Sequence, residues 1–116
     1  MEITSTTIGI PVSNLALSRL WYQAVFELDP PELELVEGIL DYPFAGVSLQ
    51  LSEEPDVTAT GDVLLRLGVD DVGEHHRRLS ELDIDVSPIV RVEGAVEFFD
   101  FVDPDGHTFS LYTVHS

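Results

Sequence analysis

Phe98-Phe99-Asp100-Phe101-Val102-Asp103-Pro104-Asp105-Gly106-His107-Thr108-Phe109-Ser110-Leu111-Tyr112 is the stretch on which the fold turns. Two alternating runs flank Asp-Pro-Asp-Gly. Proline presets φ for the first turn position, and glycine accepts positive φ at the exit. Such a turn between alternating runs predicts a β-hairpin. Phe99, Phe101, Phe109 and Leu111 then share its apolar face. Phe98, Asp100, Thr108, Ser110 and Tyr112 share the other.

Upstream, residues 95–102 run into the hairpin, Glu93-Gly94 turns, and residues 84–92 read as extended. Asp71-Val72-Gly73-Glu74 has the form of a capping box with Asp as the cap. The helix it opens carries Val72, Leu79 and Leu82, with His75, His76, Arg77 and Arg78 on its wet side. Before it, Val63, Leu65, Leu67 and Val69 form one face of a strand, and Asp62, Leu64, Arg66 and Gly68 the other. Residues 53–61 are mostly polar and aperiodic, so they read as a linker.

The first half has the same grammar. Residues 3–12 alternate, with Ile8, Ile10 and Val12 on the apolar side. Asn14 caps a helix whose expected apolar stripe is Leu17, Leu20, Trp21 and Ala24. Pro30-Pro31 ends that region. Residues 33–36, 39–44 and 47–52 read as three short strands punctuated by Gly38 and Gly46. Ile8-Gly9-Ile10-Pro11-Val12-Ser13-Asn14 matches Leu65-Arg66-Leu67-Gly68-Val69-Asp70-Asp71, so one unit occurs twice.

A twofold β-α-β-β-β repeat that ends in Asp-Pro-Asp-Gly-His resembles the vicinal oxygen chelate superfamily. That group includes glyoxalase I, bleomycin- and fosfomycin-resistance proteins and extradiol dioxygenases. The resemblance implies an α+β fold: two modules, residues 3–52 and 62–113, form a cupped mixed sheet with helices outside. It also implies up to four metal ligands, at the positions held here by Thr7, Gln50, Leu64 and Ser110. Members use His, Glu or Gln there, and only Gln50 is of that kind. Leu64 has no donor, so no metal and no other cofactor is expected. The adjacent His75 and His76 point about 100° apart on a helix, His107 is expected to bond its loop, and His115 is expected to be disordered.

The expected ligand site is the cup lining: Thr7, Gln50, Leu64, Arg66, Phe98, Asp100, Ser110 and Tyr112. Arg66 reads equally as an anchor for a carboxylate or phosphate and as the partner of Asp62 or Asp100. Phe98 and Tyr112 read as walls for an aromatic ligand or as a plug. The function implied is metal-free binding of a small molecule, like the bleomycin-resistance branch. The alternative is a diverged lyase, isomerase or dioxygenase-like enzyme.

Composition agrees with a single domain: 116 residues, 44% of them hydrophobic. There is no cysteine, hence no disulfide, thiolate ligand or cysteine nucleophile. A formal net charge of −17 with no lysine repels nucleic acid and anionic membranes. It fits either salt adaptation or a lysine-poor composition with a solvated acidic surface. No apolar run reaches membrane-spanning length, and no basic-then-apolar signal pattern opens the chain, which predicts a cytoplasmic protein. No glycine-rich phosphate loop or coupled Ser–His pair is present. A homodimer is expected, from the family resemblance and from the sheet edges that such modules expose.

Overall fold

The computed structural model describes residues 1–31, 34, 36–59 and 61–115. The chain divides into two compact units, residues 1–57 and 58–116. The fold is α+β: two small mixed sheets, of three and four strands, each with one helix, consistent with two β-α-β-β-β modules.

The first unit runs β1 (Thr7–Val12), α1 (Leu15–Val25), β2 (Ile39–Phe44) and β3 (Val47–Glu53). Its sheet has the order β1-β3-β2, with β1 parallel and β2 antiparallel to β3. Ala45 (φ 49°) and Gly46 (φ 83°) join β2 to β3. Two positive-φ residues in a two-residue loop match the right-handed twist of the flanking strands. Ile10, Val12, Leu40, Tyr42, Leu49 and Leu51 are buried on one face, and α1 packs on β3. The first strand begins at Thr7, not residue 3: residues 1–6 are exposed, and the ladder to β3 reaches back only as far as the Thr6 carbonyl, which accepts the Ser48 amide at 3.0 Å. Of the strand expected at 33–36, Leu33 and Leu35 lie outside the described residues, and Val36 makes one bridge, to Ile39.

Asn14 caps α1 as expected, accepting from the Leu17 amide at 3.1 Å. The buried stripe is a correction: it is Leu15, Ser18, Tyr22 and Val25. Leu17 and Leu20 are each 63% exposed, and Ala24 is exposed too. Both stripes have helical spacing. The choice between them is made by the two-residue link Ser13-Asn14, which brings the start of the helix over the sheet. There Glu53 Oε2 accepts the Leu15 amide at 2.9 Å. Glu53 itself closes β3, so it is strand and not linker.

The second unit runs β4 (Val63–Gly68), α2 (Val72–Glu81), β5 (Val90–Val92), β6 (Val96–Val102) and β7 (Thr108–Val114). The sheet order is β4-β7-β6-β5, with β4 and β7 parallel and the other pairs antiparallel. First strand, last strand and penultimate strand are thus neighbours in both units. Asp71 caps α2 by accepting the Glu74 amide at 3.1 Å. Val72, Leu79, Phe99, Phe101, Phe109 and Leu111 are buried, with α2 packed on β6 and β7.

The hairpin forms as read. Gly106 has φ 87°, and its amide donates to the Asp103 carbonyl at 3.0 Å. Asp103 is only 4% exposed. Its Oδ1 accepts the amides of Asp105 (2.9 Å) and His107 (2.8 Å). A buried carboxylate is stable there because backbone donors replace water.

One expectation in this unit is refined and three are corrected. The extended stretch 84–92 forms strand at 90–92 and a single bridge upstream, Val86 to Phe101; there Ser87 clasps Asp100 by Ser87 N to Asp100 O (2.9 Å) and Asp100 N to Ser87 Oγ (2.8 Å). Leu82 is the helix cap and 46% exposed, past the last turn that faces the sheet. His76 is half-buried, edge-on to Phe99 at 4.9 Å, with Nε2 2.9 Å from the Ser87 carbonyl. His115 is held in place, because β7 continues far enough for its amide to reach Ala95 O (2.7 Å) and its Nε2 to lie 3.2 Å from Glu97 Oε2.

Candidate functional site on the second sheet

Alternation turns Leu64 and Arg66 of β4, Ser110 and Tyr112 of β7, and Phe98 and Asp100 of β6 away from the α2 side. Strand register then sorts them into rows. Arg66 pairs with Ser110, and Ser110 with Asp100. Gly68 pairs with Tyr112, and Tyr112 with Phe98. Directly opposed residues on one face have Cβ atoms about 5 Å apart, so each row is a line of neighbouring side chains.

Arg66, Val96, Phe98, Ser110 and Tyr112 line a depression of about 280 Å³. Four of the eight residues expected to bind ligand therefore meet there, and Asp100 adjoins it through Ser110. Leu64, 44% exposed, lies on the same strand but outside the lining. Val96 was missed by sequence reading; its alternation with Phe98 and Asp100 was the available signal. Gly68 was also passed over. A Cβ there would sit 3.2 Å from Tyr112 Cζ and Oη, so glycine gives the Tyr112 ring its place over β4.

The electrostatics of this face are simple. Arg66 is exposed, and among the described residues it has no ion pair. Among the described residues no ion pair joins Arg66 to Asp62 or Asp100. Arg66 is the one cation among the outward-facing alternate positions of β4, β6 and β7. Ser110 is 1% exposed. Neither its Oγ nor Asp100 Oδ1 has a hydrogen-bond partner among the described residues.

Thr7 and Gln50 belong to the first sheet's outward face. Thr7 is exposed, and Gln50 Nε2 donates to Asp41 Oδ1 at 3.2 Å across β2 and β3. The four positions that the resemblance assigns to metal ligands do not fit a divalent ion. The first unit offers one hydroxyl and an amide already turned to Asp41. The second offers a leucine and a shielded serine hydroxyl. Hard and borderline divalent ions need several carboxylate or imidazole donors. No cluster of three or more His, Asp or Glu side chains suited to a metal occurs among the described residues.

No family model and no curated protein matches the chain. Solved structures do. A genomically encoded fosfomycin resistance protein from Listeria monocytogenes superposes with TM-score 0.82 at 21% identity, over 97% of this chain and 94% of that one. Lactoylglutathione lyase from Agrobacterium tumefaciens gives TM-score 0.75 at 17% identity, over 97% and 95%. A glyoxalase/bleomycin resistance protein/dioxygenase from Nocardioides gives 0.77 at 16%, over 100% and 86%. The fold is that of the glyoxalase and bleomycin-resistance proteins. At these identities the likeness is one of fold, the architecture that the resemblance to the vicinal oxygen chelate superfamily implied. No described helix is long and apolar enough to cross a membrane.

Proposed function

We propose that the protein binds a small organic anion on the outward face of its second sheet, without a metal. The observation that supports this reading is Arg66. An arginine with no ion pair among the described residues stands at the rim of an apolar depression, in a chain of net charge −17. So acidic a chain offers many carboxylates to pair with, and an arginine left beside apolar walls suits a carboxylate or phosphate brought by a ligand. Val96, Phe98 and Tyr112 supply the surface for that ligand's apolar body.

A thermal-shift screen of aromatic carboxylates and phosphates tests the reading, since binding to the folded state raises its melting temperature. Hits should lose about tenfold or more in affinity in Arg66→Ala, as expected for a charge-assisted hydrogen bond. Affinities unchanged by Arg66→Ala across all hits would sink the proposal. Added manganese, nickel or zinc should not create turnover of glyoxalase or dioxygenase substrates. Metal-dependent turnover lost in Gln50→Ala would establish the enzymatic alternative instead.

We also propose that the protein works as a homodimer. The outermost strands β1, β2, β4 and β5 each have an edge unpaired within their own sheet. Mutual repulsion of acidic chains is screened by salt. Sedimentation should therefore show dimer strengthening as salt rises, and a monomer at high salt and high concentration would refute it.

A further inference from the structure

The row Arg66–Ser110–Asp100 has a cation at one end, a hydroxyl in the middle and a carboxylate at the other end. Strands lie about 4.8 Å apart, so the backbones of Arg66 and Asp100 are about 10 Å apart across β7. The neighbouring row, Gly68–Tyr112–Phe98, is aromatic, and Val90 of β5 extends it. The face is thus divided into a polar strip with two opposite ends and an apolar strip beside it.

Two atoms of the polar strip are out of balance. Ser110 Oγ and Asp100 Oδ1 are shielded from solvent and have no partner among the described residues. A shielded oxygen without a hydrogen-bond donor is costly, and folded proteins leave few of them. Asp100 Oδ1 only accepts, whereas the Ser110 hydroxyl both accepts and donates. A simple anion seated on Arg66 could take the Ser110 proton, but it would leave Asp100 Oδ1 unmet and would bring negative charge toward it. A neutral alcohol would leave Arg66 unused. A ligand carrying an acid group and, a few ångströms away, a hydroxyl or amino donor meets both demands at once.

We infer that the ligand class is a hydroxy- or amino-substituted organic acid with an aromatic or bulky apolar body. Its acid group sits on Arg66, its donor faces Ser110 Oγ and Asp100 Oδ1, and its body lies against Phe98, Val96 and Tyr112. This inference rests on the anion-binding reading and narrows it.

Calorimetric titration of the full chain with three probes tests it: 3-phenyllactate, 3-phenylpropanoate, which lacks the hydroxyl, and 3-phenylpropane-1,2-diol, which lacks the acid. Phenyllactate should bind at least about tenfold more tightly than either of the others, the fold-change that one hydrogen bond to a charged group gives. Ser110→Ala and Asp100→Ala should each shrink the phenyllactate preference over phenylpropanoate to about threefold or less. Asp100→Ala removes a shielded, unpartnered oxygen, so its melting temperature should hold or rise; if that variant misfolds, Ser110→Ala decides alone. Arg66→Ala should weaken both acids and leave their ratio intact. Equal binding of the two acids, still dependent on Arg66, overturns the ligand class and leaves the anion site standing. Absence of Arg66-dependent binding by any probe overturns both.

Discussion

Asp103→Ala should be among the most damaging single changes to a polar side chain of the second unit. The side chain is 4% exposed, and Oδ1 alone accepts two amides, Asp105 at 2.9 Å and His107 at 2.8 Å. Alanine leaves the backbone bonds of the turn possible but removes both of these. A hydrogen bond to a charged acceptor is worth about 1.5–3 kcal/mol. Asp105 and His107 are half-buried, so water partly replaces the lost partner, and the lower end applies. The expected loss is about 3 kcal/mol, a large share of the about 5–15 kcal/mol that holds a typical domain. Asp103→Asn keeps the shape and one neutral acceptor, and should cost about half as much. Urea unfolding followed by circular dichroism gives the magnitude. Amide exchange at Asp105 and His107 gives the place, because the single tryptophan, Trp21, lies in the first unit. A loss within about 0.5 kcal/mol, the range of ordinary surface changes, with exchange at both amides unaltered, would refute the reasoning.

Asp83 follows the cap of α2 with φ 61°, and its amide donates to Ser80 O at 3.0 Å, in a motif that favours glycine. Asp83→Asn should stabilise by about 0.3–1 kcal/mol by removing a negative charge from the helix C-terminus, with the gain shrinking in salt; a lower urea midpoint than wild type would count against it. Burial raises the Tyr42 pKa above the usual 10.0, opposed in part by Arg19, and its hydroxyl donates to Gln23 Oε1 at 3.0 Å. A raised folded pKa means that this contribution is whole below pH about 10 and is lost as pH climbs through the folded value. Tyr42→Phe should therefore flatten the alkaline fall in melting temperature, which a pH series of melts will show. Gly68→Ala should push the Tyr112 ring aside by a few tenths of an ångström and weaken anionic hits, whereas Gly9→Ala, with nothing within 4 Å of the added Cβ, should not. Titration of both variants with one aromatic carboxylate distinguishes them, and equal affinities would mean that Tyr112 is no wall of the site.

Much of this protein is written in short-range sequence. Asp-Pro-Asp-Gly specifies a turn because Pro104 and Gly106 restrict and permit particular φ values, and Asp103 reaches its own loop amides. Asn14 and Asp71 cap helices because their oxygens reach the N–H groups of the first turn. Alternation in 47–52, 63–68 and 96–102 separates core from outward face, since side chains change sides at every strand residue. These effects act within a few residues, so the two-module architecture and the outward placement of Arg66, Phe98, Ser110 and Tyr112 could be read directly.

The remainder depends on which strands meet. Leu17 and Leu20 lost their expected place to Ser18 and Tyr22 because a two-residue link and the Glu53 carboxylate set the rotation of α1 over its sheet. Periodicity alone allows either stripe. His76 looked solvated by its helical spacing and His115 disordered by its place in the tail, yet Phe99, Ser87 and Glu97 lie beside them through ladders that sequence distance conceals. The row Arg66–Ser110–Asp100 exists only because β4 pairs in parallel with β7, more than forty residues on, while β6 pairs with β7 from the other side. Alternation told which way each of these side chains points. Only the register of non-local hydrogen bonds put a cation, a hydroxyl and a carboxylate in one line.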